Sequence, residues 1–225
     1  MQLMTNPISN NTALLRFGGL AAIGMALCYV AIAVIFFAML SMPQGLDTAG
    51  KIQYVQQHHL LVASGYGIGY LLFGVLLAIV LQALQRVFAN TSSAVAALAE
   101  RFGNVWLVLM MASGMVALIG LQMVFRLMET DPQQAIALYN TRNMLTEALG
   151  GGIELAGGLW VLLLSISGLQ QHRLGKGLHV LGLVVGALGI LTVMHSLPYL
   201  KDAFGITQLI WFIWLGISLL RATKA

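Results

Sequence analysis

The chain has 225 residues, of which 59% are hydrophobic and only 8% charged, with a formal net charge of +4. Soluble domains carry about 25% charged residues, so a deficit of this size excludes a water-exposed globular domain, and the length leaves room for one compact membrane domain with short loops. The basic residues stand one or two at a time at the ends of apolar runs rather than in a cluster, which argues against nucleic acid as a partner and for the lipid bilayer.

A bilayer core requires roughly 20 apolar residues per helix. Six stretches meet or approach that length: Phe17–Leu40, Leu60–Leu84, Phe102–Leu127, Thr146–Leu169, Leu178–Leu197 and Ile206–Leu220. The expected fold is therefore all-α, a single domain over residues 1–225 built as an integral membrane bundle of six transmembrane helices. The first run is far longer than a signal's apolar region and no A-x-A site follows it, so it reads as a retained span. The last run is the shortest and reads as tilted or poorly matched to the bilayer. The lone Cys28 excludes an intrachain disulfide and a multi-cysteine metal site.

The connections carry further signals. Loop one, Ser41–His59, holds Pro43, Gly45 and Gly50 and then a polar stretch. Loop two, Gln85–Arg101, contains Ser92–Glu100, which suits a short interfacial helix. In loop three, Met128–Leu145, Asp131 can cap a helix that starts at Pro132 and runs on into span four. Loop four, Gln170–Gly177, is short and basic. Loop five, Pro198–Gly205, is short enough to make spans five and six antiparallel neighbours.

The orientation follows from the lysines and arginines. Arg16, Arg86, Arg101, Arg173, Lys176, Arg221 and Lys224 fall on one side, and Lys51, Arg126, Arg142 and Lys201 on the other. The richer side belongs in the cytoplasm, which puts both termini inside.

Glycine is concentrated in span two (Gly65, Gly67, Gly69, Gly74), span four (Gly150, Gly151, Gly152, Gly157, Gly158) and span five (Gly182, Gly186, Gly189). Small residues allow close helix approach in lipid, and Gly182-x-x-x-Gly186 has the small-xxx-small form. Trp211 and Trp214, three residues apart on span six, are expected to face lipid or a partner.

The sharpest chemical feature is Glu154, the one charged residue between Gly150 and Trp160. At 1.5 Å per residue it lies about 16 Å along the helix from Asn143. An ionisable group at that depth normally faces the bundle interior or a cavity. Glu147, seven residues earlier, falls two turns up the same face. Tyr66 and Tyr70, at i and i+4 on span two, are the expected hydrogen-bond partners of Glu154. Arg126 and Arg142 form an expected positive rim, with Glu147 or Glu129 as the carboxylate that Arg126 pairs with, and His195 lands at the same boundary. These residues together make a candidate site for a small molecule, a proton or a cation. No metal motif is present: His58 and His59 are adjacent and point apart, and no H-x-x-x-H or E-x-x-H pair occurs. No motif identifies a cofactor or a catalytic centre, so an enzyme is not the expected reading. The alternative is a non-catalytic subunit or assembly partner, as a homo-oligomer or beside another membrane protein.

The order of parts resembles a family of bacterial six-span membrane proteins, a domain of unknown function. Arg16-Phe-Gly-Gly-Leu opens span one, and a long segment precedes span four. Arg173-Leu-Gly-Lys-Gly-Leu leads into Leu181-Gly-Leu-Val-Val-Gly-Ala-Leu-Gly, and Trp214-Leu-Gly-Ile-Ser-Leu-Leu ends the last span. The resemblance implies a bacterial inner membrane protein and transfers no active site.

Overall fold

The computed structural model describes residues 7–89, 93–194, 197 and 199–223, and every regular element among them is helical. The elements are α1 (Pro7–Ala33), α2 (Thr48–Gln57), α3 (His59–Tyr66), α4 (Phe73–Phe88), α5 (Ala94–Thr130), α6 (Pro132–Thr146), α7 (Leu155–Gln170), α8 (Lys176–Leu191) and α9 (Tyr199–Ala222). Wide π-type turns extend α1 over Val34–Met39, join α3 to α4 over Gly67–Leu72 and extend α6 over Glu147–Gly151. In such a turn the amide reaches back five residues, as Leu40 N does to the Ile35 carbonyl at 2.9 Å.

Among the described residues, five helical segments are long and apolar enough to cross a membrane: Thr12–Met39, His59–Phe88, Ala94–Thr130, Pro132–Gln170 and Tyr199–Ala222. Large apolar side chains stand exposed along them, including Phe17, Phe37, Leu60, Val108 and Ile206. That pattern suits lipid as the surrounding medium and is compatible with a multi-pass membrane protein. The sixth expected span is α8, an apolar helix of 16 residues, about 24 Å long at 1.5 Å per residue.

Several boundaries differ from expectation. The short apolar helix is α8, because α9 begins at Tyr199 and carries Lys201 and Asp202 within its first turns. Of the stretch Ser92–Glu100 expected to form a separate helix, Ala94–Glu100 is the beginning of α5, which runs unbroken to Thr130, and Ser92 lies outside the described residues. Loop one contains α2, capped by Asp47, whose carboxylate accepts from Gly50 N at 2.8 Å. Asp131 caps α6 and accepts from Gln134 N at 3.0 Å, with Pro132 in the first turn.

The chain divides into two compact units. One comprises Met1–Leu27, Val75–Leu107 and Glu154–Ala225, and the other Cys28–Gly74 and Val108–Ile153. In the first unit the glycines of α7 and α8 set the packing. A Cβ on Gly186 would lie 2.6 Å from Leu162 Cβ, and one on Gly189 would lie 2.7 Å from Gly158 Cα, so the two backbones approach directly. Trp106, Trp160, Trp211 and Phe212 fill the core beside them, all nearly or fully buried. Trp211 thus packs within the core of this unit, where lipid or a partner was expected, whereas Trp214 is 42% exposed and lies over Gly177.

In the second unit, Ile35, Leu40, Val55, Val62 and Leu121 form one buried cluster. Ile52, Val124 and Ala135 form another, through which α2 packs on α6. The glycines of span two accept neighbouring side chains: Phe36 lies over Gly65 and Ile32 over Gly69. All three wide turns belong to this unit.

Span four is broken. Within the wide turn that follows α6, Gly150 takes φ +146°, a conformation that costs a side-chain-bearing residue strain. Helix resumes only at Leu155, with Glu154 at its N-cap. The break rests on the run Gly150-Gly151-Gly152, the weakest helix-forming stretch in the chain. It also removes the expected stacking of Glu147 above Glu154, which required an unbroken helix.

Candidate functional site

The second unit holds a buried cation. Ala135, Tyr139, Arg142 and Thr146 recur at helical spacing along α6, and this stripe faces inward, leaving Arg142 only 4% exposed. Gly120 on α5 makes room for its stem, since a Cβ there would come within 2.7 Å of Arg142 Cγ. The guanidinium donates from Nε and from Nη2 to the Ala117 carbonyl, at 3.1 and 2.8 Å. From Nη1 it donates to the Tyr66 hydroxyl at 3.1 Å and to Asn143 Oδ1 at 2.7 Å. Its Cζ lies 4.5 Å from the Tyr66 ring centroid, a cation–π contact.

Every one of these partners is neutral. A guanidinium has five N–H groups, and the four hydrogen bonds leave one Nη2 N–H unassigned among the described residues. Nε and one Nη2 hydrogen share the Ala117 carbonyl, so the unassigned N–H lies on the edge next to Nη1. Arg142 also lines a cavity of about 230 Å³. Phe36, Leu40, Met42, Val62 and Leu121 give it apolar walls, and Tyr54, Tyr66 and Tyr139 add hydroxyl groups.

Arg126 does not share this site. It falls on the exposed stripe of α5 with Met115, Ile119 and Met123, and no ion pair or hydrogen bond joins it to Glu129 or Glu147 among the described residues. The expected rim of two arginines is therefore one buried cation and one surface cation, because helical register turns the two side chains to different surroundings. Tyr70 lies beside Tyr66, with ring centroids 5.9 Å apart, and packs on Gly114. Glu147 is partly buried within its wide turn. His195 lies outside the described residues.

Glu154 belongs to the first unit, and the partner expected from span two is replaced by an indole. Its Oε2 accepts from Trp106 Nε1 at 3.1 Å, and its backbone N donates to Thr192 Oγ1 at 2.8 Å. The Thr192 hydroxyl in turn donates to the Gly189 carbonyl at 2.6 Å. Trp106 stacks parallel to Phe212 at 6.4 Å and lies 5.4 Å from Trp160. Gly157 gives it space, since a Cβ there would sit 2.6 Å from the indole. Glu154 thus anchors an aromatic core. Glutamine keeps a carbonyl acceptor for the indole, so Glu154→Gln should change stability by less than about 1 kcal/mol. Glu154→Leu removes the acceptor and should cost about 1–3 kcal/mol. Thermal unfolding of the two variants in detergent checks this, and equal stability of both would remove the hydrogen bond from the account.

The histidines at the start of α3 hold backbone carbonyls. His58 Nδ1 lies 2.9 Å from the Tyr54 oxygen, and His59 Nδ1 lies 3.1 Å from that of Gln56. Among the described residues, no group of three or more His, Cys, Asp or Glu side chains is placed to hold a metal ion.

Sequence reasoning missed the aromatic core and set Arg142 at a rim, where the structure buries it. The signal for Arg142 was available: counting from the Asp131 cap puts it on one stripe with Ala135 and Thr146. No comparable signal gathers Trp106, Trp160 and Trp211, which come from three separate helices. Comparison with protein-family models finds none that matches the chain, and comparisons with curated proteins and with solved structures find no match either.

Proposed function

We propose that this is a six-span protein of a bacterial inner membrane, with both termini cytoplasmic, that binds a small anion at Arg142. The observation that carries the binding reading is a buried guanidinium with only neutral partners and one donor unassigned, at the wall of a cavity. Burying one charge costs several kcal/mol after relaxation. The Tyr66 contact returns about 0.5–2 kcal/mol of that. An anion entering the cavity supplies the missing countercharge and takes the open donor. Support for ligand handling thus moves from Glu154, whose carboxylate is bonded within an aromatic core, to Arg142.

The five long apolar helices together with α8 make the six crossings. The lysine and arginine count supports an Arg142 cavity toward the side opposite the cytoplasm, because Met42 and Tyr54 of loop one contribute to its lining. Reporter fusions that require export should be active near Gly45 and silent at the C-terminus. An active C-terminal fusion would defeat the span count or the orientation. Binding is tested on the purified full chain in nonionic detergent, where added monovalent organic anions should raise the thermal unfolding temperature in a saturable way. Absence of any anion effect on the wild type would overturn the reading.

A further inference from the structure

We infer that the anion is an amphipathic monocarboxylate with a compact apolar body, in preference to an inorganic or small hydrated anion. The inference rests on the anion-binding reading of Arg142 and narrows it to a chemical class.

Charge comes first. Among the described residues, Arg142 is the one cationic side chain lining the cavity. A single negative charge balances it, whereas a dianion such as phosphate would bring a second charge against largely apolar walls with no second cation among the described residues opposite it. Donor geometry comes second. The unassigned Nη2 N–H lies beside Nη1, whose hydrogens are held by the Tyr66 hydroxyl and the Asn143 amide oxygen. Those neutral acceptors are weaker than a carboxylate. Displacing one of them gives two parallel N–H groups, the fork that a carboxylate accepts bidentately. The opposite edge of the guanidinium is closed by the Ala117 carbonyl.

The walls supply the third argument. Phe36, Leu40, Val62 and Leu121 offer hydrocarbon that a small hydrated anion would leave unused. An apolar cavity of about 150 Å³ accommodates benzene, and the cavity here measures about 230 Å³. That leaves space for a six-membered ring or a branched chain plus one carboxylate. Burial of the apolar body should tighten binding by about thirtyfold or more over acetate.

The test uses the purified full chain in nanodiscs of zwitterionic lipid, so that lipid anions do not compete. Calorimetric titration compares phenylacetate, acetate, phosphate and benzyl alcohol on the wild type, Arg142→Met and Val62→Phe. Val62→Phe adds bulk to the cavity wall and keeps the guanidinium. The expected result is a phenylacetate Kd at least about thirtyfold below those of acetate and phosphate. Arg142→Met should lose phenylacetate, and Val62→Phe should lose the advantage of phenylacetate over acetate. If acetate or phosphate binds the wild type as tightly as phenylacetate, the amphipathic class is overturned while anion binding at Arg142 stands. If benzyl alcohol binds as tightly as phenylacetate, or if no anion binds, the reading of Arg142 as an anion site fails as well. Should Arg142→Met not fold, the wild-type ratios and the Val62→Phe titration still decide the matter.

Discussion

Alanine at Gly158 should leave little folded protein after extraction into mild detergent. The added Cβ would lie 2.6 Å from Ile190 N, 2.8 Å from the Gly189 carbonyl carbon and 2.9 Å from the Gly186 oxygen. All three are backbone atoms of α8, so no side-chain rotation relieves the clash. The helix itself must move, and α8 is also packed against α9. Overpacking a tight interior typically costs about 1–3 kcal/mol through rotamer and backbone shifts, and a clash with three backbone atoms belongs at or above the top of that range. Gly67→Ala is the matched control. No heavy atom lies within 4 Å of a Cβ built there, and its φ of −61° is helical, so alanine should be neutral or stabilise by up to about 1 kcal/mol. Size-exclusion profiles and thermal unfolding of both variants measure the contrast. A Gly158→Ala protein as stable as the wild type would mean that α7 and α8 are not in direct backbone contact at Gly158.

Arg142→Met should have the opposite profile, with the fold retained and anion binding lost. Removing one member of a buried ion pair costs about 3–5 kcal/mol because the other charge is left stranded. Here no carboxylate is paired with Arg142 among the described residues, so its removal strands no charge. The Ala117 carbonyl lies inside α5, where its own helix supplies an amide donor. The freed Tyr66 and Asn143 oxygens each lose one hydrogen bond, a loss offset by removing a desolvated cation. The expected change in stability is therefore below about 2 kcal/mol in either direction. Anion affinity should fall by the 2–5 kcal/mol typical of truncating a buried charged contact, which is about thirtyfold to several thousandfold. Arg142→Lys keeps the charge and loses the planar fork, so carboxylate affinity should be intermediate. A Met variant that unfolds while the wild type shows no anion response would make Arg142 a strut between α5 and α6.

What the sequence by itself determined is what depends on short-range regularity. Apolar runs of bilayer length predict the crossing helices, because a backbone in hydrocarbon must satisfy its hydrogen bonds within its own segment. The Asp131-Pro132 start of α6 was readable because an N-cap is a contact over three residues. The glycine stripe of α8 was readable because a four-residue repeat lies on one helix face. Tertiary structure decided the chemistry. Whether Arg126 or Arg142 turns inward depends on which face of each helix meets a neighbour, and the space left by Gly120 for the Arg142 stem is a contact between helices. Glu154 finds Trp106, 48 residues away in the chain, because the glycine run breaks span four and α7 and α8 then close on each other through Gly158 and Gly189. Partners at such separations follow from how helix surfaces fit together, and that fit is set by the shapes of many side chains at once rather than by the period of any one segment.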